Sequence, residues 1–425
     1  DRAFADTQQR TAEVINERGI KLAEPGSDNT PLRVQWAVYA SGYLSTSMQN
    51  MAGLLIPLWV VVTLDPSPLM IGIILGARPL LPALLSIHGG AMMDHLGAKR
   101  VMIVFAIVGI VVPILFPLAP WIWAVIILQM LSGLATTMSW MGAQTLIGQV
   151  MKGDATHSGR LGSASLMGNL TVPPIIGAAW DFMGPWGAFL LMSLWAGGLF
   201  FAAILLPAAS QELSRASDRL RIRDFIPRPS SYIEAFALLS IPTIALVVLV
   251  SVLRNNTYAI RGSFYVVYLD GIHFTGTEIG FLMSAAGILG VGAALLVGHL
   301  TKLIKPIILL FIAVAGAIIF ISITPLMSTF WQLMIIAGLW GASAGMSMPL
   351  MLSIMAKSAD AKSQGKSVGM RLTANRLAAT FLPVLMGAIA DVAGIGNSFL
   401  IIGAAMLASL GGLAFYARRF TNEGT

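Results

Sequence analysis

The chain has 425 residues, 56% of them hydrophobic and 11% charged, with a formal net charge of +7 and no cysteine. Soluble domains carry about 25% charged residues, so an ordinary soluble globule is excluded. The missing cysteines exclude disulfides, thiolate metal sites and cysteine nucleophiles.

Residues 1–33 form a polar segment of mixed charge, with Phe4, Val14, Ile15 and Ile20 as its few apolar anchors. It is expected to be a cytoplasmic tail and a candidate docking segment for a protein partner. Twelve apolar runs follow, at 36–64, 69–93, 101–118, 121–150, 161–182, 186–206, 235–269, 277–299, 304–324, 329–356, 366–390 and 397–416. An apolar helix of about 20 residues crosses a bilayer core, and the runs lack the strict alternation of a membrane barrel. The expected fold is an all-α polytopic membrane protein of twelve spans. The expected division is a six-helix bundle over 34–206, a basic cytoplasmic linker over 207–234, a second bundle over 235–417 and a tail over 418–425.

Charge orients the spans. The even-numbered connections hold Lys99, Arg100, Lys152, Arg160, five arginines in 207–234, Lys302, Lys305, Lys357 and Lys362. The odd-numbered connections hold Asp65, Asp181, Asp270 and Asp391, and no Lys or Arg. Positive residues stay inside, so both termini are expected to be cytoplasmic, in a bacterial inner membrane. The net positive charge then needs no nucleic-acid partner.

The halves repeat. "LWVVVTLD" (Leu58–Asp65) matches "SFYVVYLD" (Ser263–Asp270) at an offset of 205, and Ile71–Gly72 matches Ile279–Gly280 at 208. "GAAWDFMG" (Gly177–Gly184) matches "GAIADVAG" (Gly387–Gly394) at 210, followed by Phe189–Leu190 and Phe399–Leu400. Two six-helix units in parallel repeat place a substrate between them near the bilayer midplane.

The connection between spans 2 and 3 reads "GGAMMDHLGAKR" (Gly89–Arg100). Gly90, Asp94, Gly97, Lys99 and Arg100 fit the loop signature Gly-x-x-x-Asp-x-x-Gly-x-Lys/Arg-Lys/Arg, and the sequence resembles the major facilitator superfamily from about residue 33 onward. The resemblance implies a gate in which Asp94 meets the N-terminus of span 11, where a helix dipole favours an anion. In span 5, Gly159, Gly168, Pro173 and Gly177 fit part of that superfamily's antiporter signature, while Val172 and Ile176 stand where glycines are expected. These residues also suit close helix packing. The arginine that proton-driven drug exporters of the superfamily carry in span 4 is replaced by Gln129.

Polar residues inside a membrane are functional candidates. Gln49 and Asn50 lie near the middle of span 1, and the 205 offset maps them onto Arg254 and Asn255 of span 7. Asn256 and Tyr258 extend that cluster, Arg78 lies inside span 2, Trp140 and Gln144 in span 4, and Arg376 in span 11. No Asp or Glu falls in the middle of a span. Buried arginine stays charged and takes carboxylates or phosphates bidentately.

The expected function is therefore a secondary transporter for a small solute of anionic character, working by alternating access with lipid around it and no cofactor. Arg254 is the leading contact. Efflux of amphipathic compounds and a scaffold role without transport are the alternatives. No metal motif, nucleophile-base set or phosphate loop supports an enzyme.

Overall fold

The computed structural model describes residues 30–151, 154–207, 242–358 and 364–421. The expected tail before Thr30 and the linker after Pro207 lie outside these residues. All regular elements among the described residues are helical.

Among the described residues, ten helices are long and apolar enough to cross a membrane, and Pro306–Ser322 is a shorter apolar helix of 17 residues. Helix Ala155–Leu205 is 51 residues long but contains Gly184 with φ 68° and ψ −173°. Its contacts with span 1 (Leu32–Leu64) show that the chain reverses there. Before Gly184, Leu161 meets Gly42 and Asn169 meets Asn50, so the partner number rises. After it, Phe189 meets Trp59 and Gly198 faces Leu44, so the partner number falls. The repeat mate of Gly184 is Gly394, also left-handed at φ 85°, which separates Gln364–Ala393 from Ile395–Thr421. Glycine accepts this conformation without a Cβ penalty. With spans 5 and 6 separated at Gly184, eleven helices among the described residues are long enough to cross, and Pro306–Ser322 is the shorter one beside them.

Two expected spans are broken. Span 2 comprises Pro68–Gly76 and Leu80–Leu96, joined by a turn at Ala77–Pro79. Pro79 has no N–H to give to the carbonyl of Leu75. Span 7 comprises Pro242–Arg261 and Phe264–Gly271. At that break the Ser263 hydroxyl donates to the carbonyl of Ala259 (2.6 Å), in place of a backbone amide. Spans 3 and 4 are Ala98–Leu118 and Ile122–Val150. Spans 8, 10, 11 and 12 are Gly276–Leu303, Phe330–Ser358, Gln364–Ala393 and Ile395–Thr421.

Each half has an aromatic anchor near the end that carries Asp65, Asp181, Asp270 and Asp391, called the acid end below. Trp59 stands edge-on to Phe116 and Phe189, all fully buried. The mate of Phe189, Phe399, is also fully buried and packs on Tyr268 at 5.8 Å.

The halves meet along two seams that obey the repeat. Where spans 5 and 8 cross, a Cβ on Gly177 would overlap the carbonyl of Gly276, and one on Gly280 that of Pro173. Where spans 2 and 11 cross, Gly387 is packed in the same way on Pro68, and Gly72 on Pro383. Small residues let helix backbones approach this closely.

Candidate functional site

A cavity of about 490 Å³ lies between the halves, next to these seams on the side away from the acid end. Gln49, Asn50, Arg78 and Trp140 line it from the first half, and Asn255, Tyr258, Arg261 and Arg376 from the second. No Asp or Glu stands on its wall among the described residues.

Helix breaks position two of the arginines. Arg78 sits in the turn of span 2, where Gly133 of span 4 admits its backbone and Gly53 of span 1 leaves room beside its guanidinium. Its Nη2 donates to the carbonyl of Gln49 (3.1 Å). Arg261 is the last residue before the break in span 7. Its Nη2 donates to the carbonyl of Met283, and its guanidinium lies 4.5 Å above the Trp340 ring. Arg376 crosses between halves, donating from Nη1 to the carbonyl of Pro82 (2.6 Å). Each guanidinium has five donors, so these bonds leave donors for a ligand.

The repeated asparagines are held alike. Asn50 donates to Asn169 Oδ1 of span 5 (2.7 Å), and Asn255 donates to the carbonyl of Asn375 in span 11 (2.9 Å). Asn375 in turn exchanges hydrogen bonds with Ser251.

Arg254, Asn256 and Gln144 are not on the cavity wall. Each helical residue turns the side chain by about 100°. Asn255, Tyr258, Ala259 and Gly262 therefore form the inward stripe, and Arg254 points instead at span 10. There Nε donates to Ser347 Oγ (2.6 Å), while Nη2 donates to the Tyr258 hydroxyl (3.0 Å) and the carbonyl of Ala344 (3.4 Å). Its guanidinium also lies over the Tyr258 ring at 4.6 Å, and that ring stands edge-on to Trp340 at 4.9 Å. Arg254 thus supports the wall through Tyr258. Asn256 Oδ1 is buried without a partner. Gln144 is exposed, one turn beyond Trp140.

Arg261 joins the wall three residues after Tyr258 and directly before a Gly-Ser pair. Gln129, which replaces the exporter arginine, is fully buried with Oε1 unpaired.

Of the loop signature, Gly97 has φ 83° and ends the second part of span 2, while Arg100 is exposed. Lys99 Nζ donates to the carbonyls of Ile204 (2.7 Å) and Leu206 (2.6 Å) at the end of span 6. Gly90 has only Met141 near it, at 4.0 Å from an added Cβ. The Asp94 side chain, and with it the expected gate to span 11, lies outside the described residues. In span 5, Gly168 packs on Ser47 and Tyr43, while a Cβ added at Gly159 meets no described atom within 4 Å.

The family model of the Major Facilitator Superfamily matches residues 38–327 and 247–425. The chain belongs to this superfamily. Crystal structures of the nucleoside transporter NupG share the superfamily fold. That of a point mutant of NupG aligns with TM-score 0.76 and 12% identity over 90% of this chain and 99% of that one. A second NupG structure aligns with TM-score 0.73 and 12% identity over 90% and 98%. No curated protein matches the sequence. The superfamily member described here is thus an integral, multi-pass membrane protein with a transporter fold.

Proposed function

We propose that this protein is a secondary active transporter that carries a small organic solute of anionic character by alternating access. One observation carries the reading. Arg78, Arg261 and Arg376 approach one cavity from both halves, with no carboxylate on its wall among the described residues. Three partly buried cations gathered at one cavity inside a membrane fold favour a ligand that brings countercharge, and a carboxylate or phosphate of the solute supplies it through bidentate hydrogen bonds.

The positive-inside pattern supports a cytoplasmic basic end. The seams close the acid end, which is the arrangement an inward-facing state requires. The solute binds among Gln49, Asn50, Asn255 and Tyr258, with its charge toward the arginines and an apolar part toward Leu75, Met283 and Leu372. Rocking of the halves then exposes the same cavity to the other side.

A second reading has its own support. All three arginines already donate to backbone carbonyls, and the wall also offers Thr136, Thr137, Trp140 and Asn375. Such a wall suits a neutral, hydrogen-bonding ring compound, and the fold likeness to nucleoside transporters lies in that direction. Thermal-shift and flux assays with matched organic anions, cations and nucleosides separate the two. The anion reading expects stabilisation by anions that is lost in Arg78→Ala and Arg261→Ala. Stabilisation by nucleosides that survives in both variants overturns it.

A further inference from the structure

The repeat places Asp181 and Asp391 at equivalent positions, 210 residues apart. Each carboxylate reaches across the interface to the first turn of a helix in the other half. Asp181 of span 5 accepts the backbone N–H groups of Gly276 (2.8 Å) and Thr277 (2.8 Å) and the Thr277 hydroxyl (2.5 Å) at the start of span 8. Asp391 of span 11 accepts one N–H, from Leu69 (3.2 Å), at the start of span 2.

A helix start leaves N–H groups without partners and favours an anion. Both starts fill part of this demand locally. Thr275 and Glu278 form a capping box on span 8, and their mates at an offset of 208 are Ser67 and Met70 on span 2, where Ser67 Oγ accepts from Met70. The carboxylate from the other half takes what remains.

The two latches differ because two residues differ. The mate of Gly276 is Pro68, which has no N–H to donate. The mate of Thr277 is Leu69, which has no hydroxyl. The 2–11 latch therefore lacks two of the three bonds made by the 5–8 latch. The paired glycine contacts, Gly177 with Gly387 and Gly280 with Gly72, are alike at both seams. Deeper in the interface each seam has one further bond, Ser284 to the carbonyl of Leu170 (2.6 Å) across 5–8 and Arg376 to that of Pro82 (2.6 Å) across 2–11. The difference therefore lies at the acid end.

We propose that Asp181 and Asp391 are positioning residues for the transport cycle: paired, unequal latches of the acid-end gate. The 2–11 seam parts first as the gate opens, and the 5–8 seam acts as its hinge side. The inference rests on the transporter reading alone and is independent of which solute is carried.

The cysteine-free sequence makes labelling clean. Spin labels on cysteines at Ile73 and Val392 report the 2–11 seam, and labels at the repeat mates Phe281 and Phe182 report the 5–8 seam. Pulsed dipolar distances measured on the purified full chain give the open fraction at each seam. A larger open fraction at 2–11 than at 5–8 is expected.

Leu69→Thr supplies the missing hydroxyl and should lower the 2–11 open fraction roughly fivefold, the weight of one net hydrogen bond. Asp181→Ala should raise the 5–8 open fraction by more than Asp391→Ala raises that at 2–11. Asp181→Asn, which keeps one acceptor oxygen, should fall between wild type and Asp181→Ala. A merely structural aspartate would lower thermal stability without changing the relative opening of the seams. Equal opening of both seams, wider opening at 5–8, or no effect of Leu69→Thr overturns the proposal. Because Leu69→Thr adds a bond, misfolding of the alanine variants leaves the test intact.

Discussion

Arg78 and Gly133 share one space: a methyl group on Gly133 would overlap the backbone carbonyl of Arg78 and stand 3.0 Å from its Cγ. The broken turn of span 2 is seated on span 4 at this glycine, and the break aims Arg78 into the cavity.

Gly133→Ala should accordingly disturb the site as well as the packing. Overfilling a packed contact costs about 1–3 kcal/mol, so the melting temperature should fall. Ligand affinity should fall further in this variant than in Gly148→Ala, where an added Cβ meets nothing within 4 Å. Equal binding by the two variants would show that the turn does not depend on Gly133.

Arg261 and Arg254 should separate in their effects. Arg261→Ala removes a cation from the wall and should weaken an anionic ligand about tenfold or more, since hydrogen bonds to charged groups contribute roughly 1.5–3 kcal/mol. Arg254→Ala removes the support under Tyr258. It should weaken anions and neutral analogues alike, by a smaller factor. Isothermal titration of matched charged and neutral ligands distinguishes the patterns.

Lys99 should act on stability rather than binding. Its ammonium satisfies two carbonyls at the end of span 6, a position where a cation also complements the helix dipole. Lys99→Ala should lower stability by about 1 kcal/mol. Lys99→Arg should recover much of that loss in a thermal melt, with ligand affinity unchanged in both.

Asp154 supplies a pH prediction. It caps the helix that begins at Ala155 by accepting the N–H groups of His157 (3.1 Å) and Thr156 (2.8 Å). The bond from the His157 backbone is the main cause holding its carboxyl below the usual value, with the Thr156 bonds adding to it. A depressed carboxylate stabilises the fold fully above its unfolded value, about 4. That contribution disappears as pH falls through the folded value. Melts of wild type and Asp154→Asn should therefore run parallel near neutral pH and converge in acid. A constant gap across the range would remove the cap from the account.

Much of the fold was legible because lipid imposes long apolar runs. Gln49, Asn50, Arg78 and Asn255 were legible as wall candidates because a polar residue at mid-membrane depth needs a reason to be there. Depth alone does not give direction around the helix. Arg254 and Asn255 are sequence neighbours, yet about 100° of rotation sends one to span 10 and the other to the cavity. Arg261 is harder to read, because an unbroken span 7 would carry it toward the membrane edge. The break at Gly262–Ser263 was the missing signal. The aspartate latches were invisible for another reason: the repeat marks Asp181 and Asp391, but the helix starts they cap lie about 95 and 322 residues away in the chain, where no local propensity reports on them.

The turn at Gly184 also ties the two membrane faces together. Asp181 lies three residues before it, so spans 5 and 6 leave the acid end as a hairpin with almost no slack. Span 6 then runs to Ile204 and Leu206, whose carbonyls are gripped by Lys99 of the loop signature at the opposite face. The hairpin is a strut fixed at both ends. Pulling Asp181 away from span 8 tilts that strut, and the far end of the tilt falls on the loop between spans 2 and 3, about 30 Å away at roughly 1.5 Å per residue. The aspartate at the acid end and the loop between spans 2 and 3 are thereby joined through one hairpin.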